Sequence, residues 1–367
     1  MARFHDGPVV EKVEASAYAV PTESPESDGT LEWDKTTLVL VEVLADSTAG
    51  IGYTYADASV ARLINDRLGK VVEGRDPMAI EAAWQAMRRE VRNHGLCGLG
   101  AMGISAVDIA LWDLKARLLD VSVATLLGPV RQRVPVYGSG GFTSYSVPEL
   151  EGQLAGWVAQ GISRVKMKVG RTPEEDPDRV AAARTAIGPG AELFVDANGA
   201  YSRKEALAMA SLFADAGVSW FEEPVSSDDL EGLRLVRDRS PAGMDIAAGE
   251  YGFNSSYFRK MLQAGAVDVL QADVTRCGGL TGFAKVAALC DAFGLPLSTH
   301  CAPALSLFAG CAAPSVRHLE WFHDHARIEQ MLFEGTPQPS GGALEPNLAR
   351  PGLGLAFKRQ DAARFAL

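Results

Sequence analysis

The sequence has no CxxC pair, and its five cysteines, Cys97, Cys277, Cys290, Cys301 and Cys311, are an odd number. A disulfide framework and a structural zinc site are therefore not expected, and a reducing cytoplasm fits best. Blocks of basic residues are also missing. Lys and Arg total 35 against 46 acidic residues, for a formal net charge of -11. Phosphate backbones are bound by basic patches, so nucleic acid is not an expected partner. No apolar run is long enough to span a membrane. The first ten residues, MARFHDGPVV, lack the apolar core of a secretory leader. What remains is an ordinary globular composition, 47% hydrophobic and 22% charged over 367 residues, long enough to bury a large core.

The pattern along the chain changes near Val134. Before it, TTLVLVEVLA (Thr36–Ala45) is β-branched and apolar and reads as a strand, with GIGYTYA after it. PTESPESDGTLEWD (Pro21–Asp34) is rich in Pro, Ser, Asp and Glu and reads as a mobile loop. Helices are expected near Val60–Leu68 and Met78–Val91. A third is expected in ISAVDIALWDLKARLLD, where Ala106, Ile109/Ala110, Asp113/Leu114 and Ala116/Arg117 recur at helical spacing. From Val134 onward, short apolar strands alternate with amphipathic stretches. The strands are VPVYGS, RVKMKV, ELFVDA, VSWFEEP, DIAAGE, VDVLQAD, LPLSTH and VRHLEW. Eight such units predict a (β/α) barrel. The expected divisions are an α+β cap over 1–130, a barrel over 131–343, and a tail over 344–367 that returns to the cap.

Polar residues close these strands one after another: Lys166 and Lys168, Asp196, Glu222, Glu250, Asp273, His300 and Glu320. The C-terminal rim of a barrel is where active sites are built, so residues distant in sequence would converge there. Asp196, Glu222 and Glu250 come from three neighbouring strands. Three converging carboxylates repel one another unless a cation neutralises them, and an all-oxygen set suits Mg²⁺ better than zinc. Lys166 and Lys168 are two apart, so strand alternation turns both into the mouth. Two adjacent ammonium groups beside a metal lower each other's proton affinity, and one can then act as a base near neutrality. Asp273 beside His300 would fix the imidazole tautomer and raise its basicity. Glu320 could donate or accept a hydrogen bond at a substrate carboxylate. His323 and His325 read as residues of the following loop. Such a set suits removal of an α-proton next to a carboxylate, with a divalent ion stabilising the charge that develops on the oxygens.

The segments KMK, VDAN, FEEP, AAGE, QAD…GG, STH and HLEW, in that order, resemble the mandelate racemase subgroup of the enolase superfamily, in which a Lys or His base works beside Mg²⁺. GISAVDIALWDLKARLLDVSVATLLG resembles that subgroup's junction between cap and barrel. The resemblance runs from about residue 10 to about residue 360. It implies a modified TIM barrel, (β/α)7β, with an α+β capping domain drawn from both chain ends, one Mg²⁺ per subunit, and a homo-oligomer. It implies Asp196, Glu222 and Glu250 as metal ligands and Lys168 as the base on one face of the substrate. Lys166 would lower the proton affinity of Lys168 and contact the substrate carboxylate. His300, paired with Asp273, would be the acid or base on the opposite face, and Glu320 would hydrogen-bond a carboxylate oxygen. Asn198 and Glu223 match positions near the metal. Substrate choice would come from cap loops at Pro21–Trp33 and roughly 50–58, the second carrying Tyr53 and Tyr55, with Asn198, Trp33 and Tyr53 as candidate substrate contacts. The acids Glu23, Glu26, Asp28 and Glu32 would disfavour a second carboxylate on the substrate.

Two enzymatic readings stay open. A dehydratase would convert a sugar acid to a 2-keto-3-deoxy acid. A racemase or epimerase would use the same residues to return the proton to the other face. A metabolite-binding homologue without activity is a third, remote reading. The expected partner in each case is a small carboxylate, with no nucleic acid and no membrane.

Overall fold

The computed structural model describes residues 7–367, so most of the segment read for a leader lies outside the described residues. The chain opens with an antiparallel sheet of β1 (Lys12–Ser27), β2 (Glu32–Ala45) and β3 (Thr48–Tyr55), in that order. The Pro/Ser-rich stretch expected to be a loop is largely strand. Pairing of β1 with β2 runs to Pro21↔Lys35, breaks, and resumes at Glu26↔Trp33 and Ser27↔Glu32. The residues between Pro21 and Glu26 are absorbed as a bulge, which accommodates a proline that cannot donate to the ladder. Asp28 closes the hairpin by accepting from the backbone N–H groups of Thr30 (2.6 Å) and Leu31 (2.7 Å).

The sheet lies on the long helix Leu99–Leu118. Contact this close requires glycine in β3. A Cβ at Gly50 would stand 2.4 Å from the Ala110 carbonyl oxygen, and one at Gly52 would stand 2.3 Å from that of Ala106. Asp113 on the same helix is fully buried and joins three segments. Its Oδ2 accepts from the Ile51 N–H (2.8 Å) and Arg117 Nε (2.7 Å), and its Oδ1 accepts from the Leu353 N–H (2.6 Å). The chain end also returns here, where the Leu367 N–H donates to the Ala17 carbonyl at 3.0 Å.

The second half is a parallel barrel of eight strands: β4 (Val134–Ser139), β5 (Arg164–Lys168), β6 (Glu192–Asp196), β7 (Val218–Glu222), β8 (Asp245–Ala248), β9 (Val269–Ala272), β10 (Leu297–Thr299) and β11 (Leu319–Phe322). The order β10-β9-β8-β7-β6-β5-β4-β11 is continuous, and a Leu297↔Val316 bridge nearly closes the ring. All eight strands fall where the sequence placed them. Seven helices separate them, giving (β/α)7β. Several begin at sequence-encoded caps, such as the reciprocal Ser146–Glu149 and Ser202–Glu205 pairs. Tyr137, Phe194, Trp220, Ala247 and Val269 fill the barrel axis. They form a packed floor beneath the mouth, as expected for a barrel of this size. No helix among the described residues is long and apolar enough to cross a membrane.

Candidate active site

The strand ends bring the expected residues to one mouth. Asp196, Glu222 and Glu250 each offer a carboxylate oxygen, and these oxygens lie within 4.8 Å of one another. All three residues are buried. Burial and the neighbouring Asp196 push the Glu222 carboxyl up to about 8. Glu250 Oε2, Asn198 Oδ1 and Glu223 Oε1 are buried without a hydrogen-bond partner. Buried acceptors without donors are costly, and a hard divalent cation with several oxygen ligands is the partner this donor set fits.

Both lysines of β5 point into the barrel. Lys166 is fully enclosed, with Nζ 2.6 Å from Glu222 Oε1, 2.8 Å from Glu320 Oε1 and 3.4 Å from Asp196 Oδ2. Lys168 Nζ lies 2.5 Å from Asp196 Oδ2 and borders the open cavity. The expected depression of Lys168 by Lys166 is present but outweighed. Burial lowers the proton affinity of Lys168, Asp196 raises it, Lys166 lowers it, and the net direction is up. Lys166 is likewise raised, by Glu222 and Glu320 against burial. A divalent ion on the carboxylates would cancel the field that protonates both amines. Lys166 does not reach the cavity surface, so its direct contact with a substrate is not part of the geometry seen here.

On the far side of the mouth, His300 Nδ1 is 2.7 Å from Asp273 Oδ2, which leaves Nε2 facing the cavity. Burial opposes the imidazolium, but Cys301, Glu250, Glu320 and the Asp273 hydrogen bond raise its proton affinity well above the ordinary value. Glu320 Oε2 accepts from the Cys301 N–H at 2.8 Å and stands 3.8 Å from His300 Nε2. β5 and β10 are separated by four strands. Lys168 and His300 therefore look into the mouth from different sides.

A cavity of 380 Å³ lies over these groups and is roofed by the cap. A larger cavity of 670 Å³, between Ile80 and Trp112, receives none of the strand-end residues. Trp33 and Asn198 line the smaller cavity as expected, whereas Tyr53 does not. The segment 50–58, expected to be a loop, is mostly strand, and Tyr53 sits one pleat repeat deeper than Tyr55. Tyr53 is fully buried, donates to Glu329 Oε1 at 2.7 Å and stacks on Phe333. Tyr55 is the one that borders the cavity, stacked on His325 with centroids 3.4 Å apart. His323 and His325 belong to a helix, His323–Leu332, rather than a loop. His325 lines the cavity, and burial pushes its proton affinity down to about 3, so it presents a neutral ring.

The acids of the first hairpin are directed elsewhere. Glu23 pairs with His323 (3.1 Å), Glu26 accepts from Trp33 Nε1 (2.9 Å), and Glu32 pairs with Arg171 (2.9 Å). Of the four, only Asp28 borders the cavity. These acids therefore do not disfavour a second carboxylate on the substrate. Lys35, Tyr251, Arg276 and Cys301 are among the cavity residues that the sequence did not point to. Arg276 follows Asp273 by three residues and reaches back to Glu250 Oε1 at 3.4 Å. Its place in the mouth segment DVTR was the available signal. The backbone also marks the mouth. Asn198, Glu223, Cys301 and Ala302, each just past a strand, hold positive φ of 47°, 39°, 49° and 42°. Such conformations are disfavoured for non-glycine residues and collect at functional sites.

A capped barrel with three carboxylates, two lysines and a His–Asp pair at its mouth defines an enzyme of metal-assisted acid–base chemistry. The family models agree. Residues 13–128 match the mandelate racemase/muconate lactonizing enzyme N-terminal domain, and residues 149–362 match the enolase C-terminal domain-like model. The chain belongs to the mandelate racemase/muconate lactonizing enzyme family of the enolase superfamily. It is similar to a mandelate racemase/muconate lactonizing enzyme-like protein from Rubrobacter xylanophilus, with 57% identity and a TM-score of 0.96 over 98% of this chain and 100% of that one. It is 33% identical to the 3,6-anhydro-alpha-L-galactonate cycloisomerase of Streptomyces coelicolor, over 98% of this chain and 100% of the relative. It is also similar to the L-talarate/galactarate dehydratase of Salmonella typhimurium, solved with Mg and L-lyxarohydroxamate. There the identity is 27% and the TM-score 0.90, over 100% of this chain and 96% of that one.

Proposed function

We propose that this protein is a Mg²⁺-dependent hydro-lyase that dehydrates a sugar acid to a 2-keto-3-deoxy acid. The observation that carries the reading is the opposition of Lys168 and His300 across one cavity, with Asp196, Glu222 and Glu250 grouped at its base. When bound by these three carboxylates, Mg²⁺ supplies the positive charge that stabilises negative charge developing on the substrate carboxylate. Lys168 removes the α-proton, its amine freed of the Asp196 field. Lys166 stays an ammonium, held by Glu222 and Glu320, and orients those carboxylates. His300, protonated and held by Asp273, gives its proton to the departing β-hydroxyl, which leaves as water. The resulting enol tautomerises to the keto acid. Trp33, Tyr55 and Asn198 contact the substrate, and the cap keeps bulk water from the mouth. The dehydratase and cycloisomerase activities named for the relatives support a sugar-derived acid.

An isomerase is the second reading, favoured by the same two-sided arrangement, since proton removal on one face and return on the other needs no further residue. The five free thiols suit a reducing cytoplasm, and the family resemblance supports a homo-oligomer. The test is a library of sugar mono- and diacids with Mg²⁺, read for 2-keto acid by semicarbazide and for α-proton exchange in D₂O by NMR. Keto acid from stereochemically related acids supports the dehydratase. Exchange with epimer formation and no keto acid replaces it with the isomerase.

A further inference from the structure

His300 spends Nδ1 on Asp273, so Nε2 is its free nitrogen. The next residue places a thiol beside that nitrogen, with Cys301 Sγ 3.4 Å from His300 Nε2. A left-handed backbone at Cys301, φ 49°, goes with this placement. Asp273, His300 and Cys301 each offer a ligand atom, all within 4.8 Å of one another. Glu250 Oε2, buried and without a hydrogen-bond partner, lies 3.3 Å from the same Nε2. With Zn–S near 2.3 Å and Zn–N near 2.0–2.1 Å, a tetrahedral angle separates sulfur and nitrogen by about 3.5–3.6 Å. The separation found, 3.4 Å, is close to that edge without rearrangement.

We infer that the mouth carries a second metal-binding set, Cys301 Sγ with His300 Nε2, selective for a thiophilic divalent ion such as Zn²⁺ and distinct from the three-carboxylate set. Sulfur and imidazole suit zinc and cadmium, whereas Mg²⁺ takes oxygen. Asp273 is the outer partner, because a metal-bound imidazole commonly donates its other N–H to a carboxylate. Both ligands border the open cavity, so the ion has a path in. On binding, the thiol proton and the Nε2 proton of the imidazolium both leave to solvent, and the freed sulfur and Nε2 lone pairs form the two bonds. The ion occupies the lone pair that proton transfer needs, so it inhibits the enzyme. That consequence rests on the proposed role of His300, whereas the coordination itself does not.

The test uses the full-length, Mg²⁺-saturated protein carrying Cys97→Ser, which removes the exposed thiol. Cd²⁺ is titrated while the ultraviolet cadmium–thiolate charge-transfer band is followed, and Zn²⁺ is then added in competition. One equivalent of Cd²⁺ per subunit is expected, with the band present, displaced by Zn²⁺ and not by excess Mg²⁺. Cys301→Ser and Cys301→Ala, checked for folding by circular dichroism, should abolish the band and weaken binding at least about tenfold. Survival of the band in both variants overturns the inference. So does Cd²⁺ binding that gives no band or is displaced by Mg²⁺, and so does the absence of binding. If Cd²⁺ binds through Cys301 yet α-proton exchange is unchanged, the metal set stands and the role given to His300 falls.

Discussion

Asp273→Asn isolates the His300 half of the site. Asp273 Oδ1 accepts from the Thr275 N–H (2.7 Å) and the Thr275 hydroxyl (2.6 Å), while Oδ2 faces His300 Nδ1 at 2.7 Å. In the variant, the Thr275 N–H can be satisfied only by the amide oxygen, so the amide NH₂ must take the Oδ2 position. A donor then faces Nδ1. The imidazole responds by carrying its proton on Nε2, where it can no longer accept one from substrate. The variant also removes the negative charge that favours the imidazolium. A positioned acid–base group is worth about 10²–10⁴-fold, so exchange at the α-position facing His300 should fall at least about 100-fold. Lys168 stands on β5 and has no contact with Asp273, so exchange on its face should be largely retained. The assay is α-proton exchange in D₂O, read on the two α-epimers of an accepted acid, with folding checked by Tm. A loss below about tenfold on the His300 face, or an equal loss on both faces, refutes the tautomer argument.

Metal removal should destabilise the protein, because the crowded carboxylates lose their counter-charge. Mg²⁺ at about 100 times its Kd contributes about 2.7 kcal/mol. Spread over the unfolding entropy of 367 residues at about 2.1 cal/mol/K each, this raises Tm by about 3–4 °C relative to chelated protein; no shift in a calorimetric scan would contradict the cation site. Glu329, fully buried beside Tyr53 and the Ala304 N–H, has its carboxyl pushed up to about 8 by burial. Its folded state keeps a proton that the unfolded state loses above the ordinary carboxylate pKa, so its contribution is full below pH about 4.5 and is lost as pH rises toward about 8. Glu329→Gln, which imitates the protonated acid, should flatten the fall in Tm between these limits; an unchanged pH profile would show that Glu329 is not its source. Gly52→Ala drives a methyl group toward the Ala106 carbonyl and should cost about 1–3 kcal/mol in chemical denaturation. A neutral result there would mean that the helix under the sheet shifts freely.

The barrel was legible because its strands are buried on both faces and all but β4 carry, at or near the C-terminal end, a charged or ionisable residue the interior would not otherwise hold. VKMKV, VDAN, FEEP and STH put charge at the end of apolar runs, and that contrast survives without coordinates. The cap was less legible. Pro, Ser and Glu in the first hairpin signal a loop, yet a bulge between Pro21 and Glu26 lets the ladder continue on either side. Tyr53 and Tyr55 share a strand face, and alternation reveals the face but not the depth. The partners that settle it, Glu329 and His325, are about 270 residues away. Arg276 and Cys301 enter the mouth from loops, for which no periodicity exists, whereas Lys35 stands two residues after Trp33 on β2, where strand alternation was the available signal. The proton affinities of the lysine pair also depend on the sum of several carboxylates, which sequence spacing cannot weigh.

In the proposed mechanism two opposed groups, Lys168 and His300, each serve one face of a carboxylate held at a divalent cation. The most direct measurement is Mg²⁺-dependent α-proton exchange in D₂O by wild type, Lys168→Ala and His300→Asn, read separately on the two α-epimers of the acid that wild type accepts. Exchange by wild type should vanish on chelation and return with Mg²⁺, and each variant should lose exchange on one face only. Exchange that survives chelation, or that survives on both faces in either variant, would contradict that mechanism.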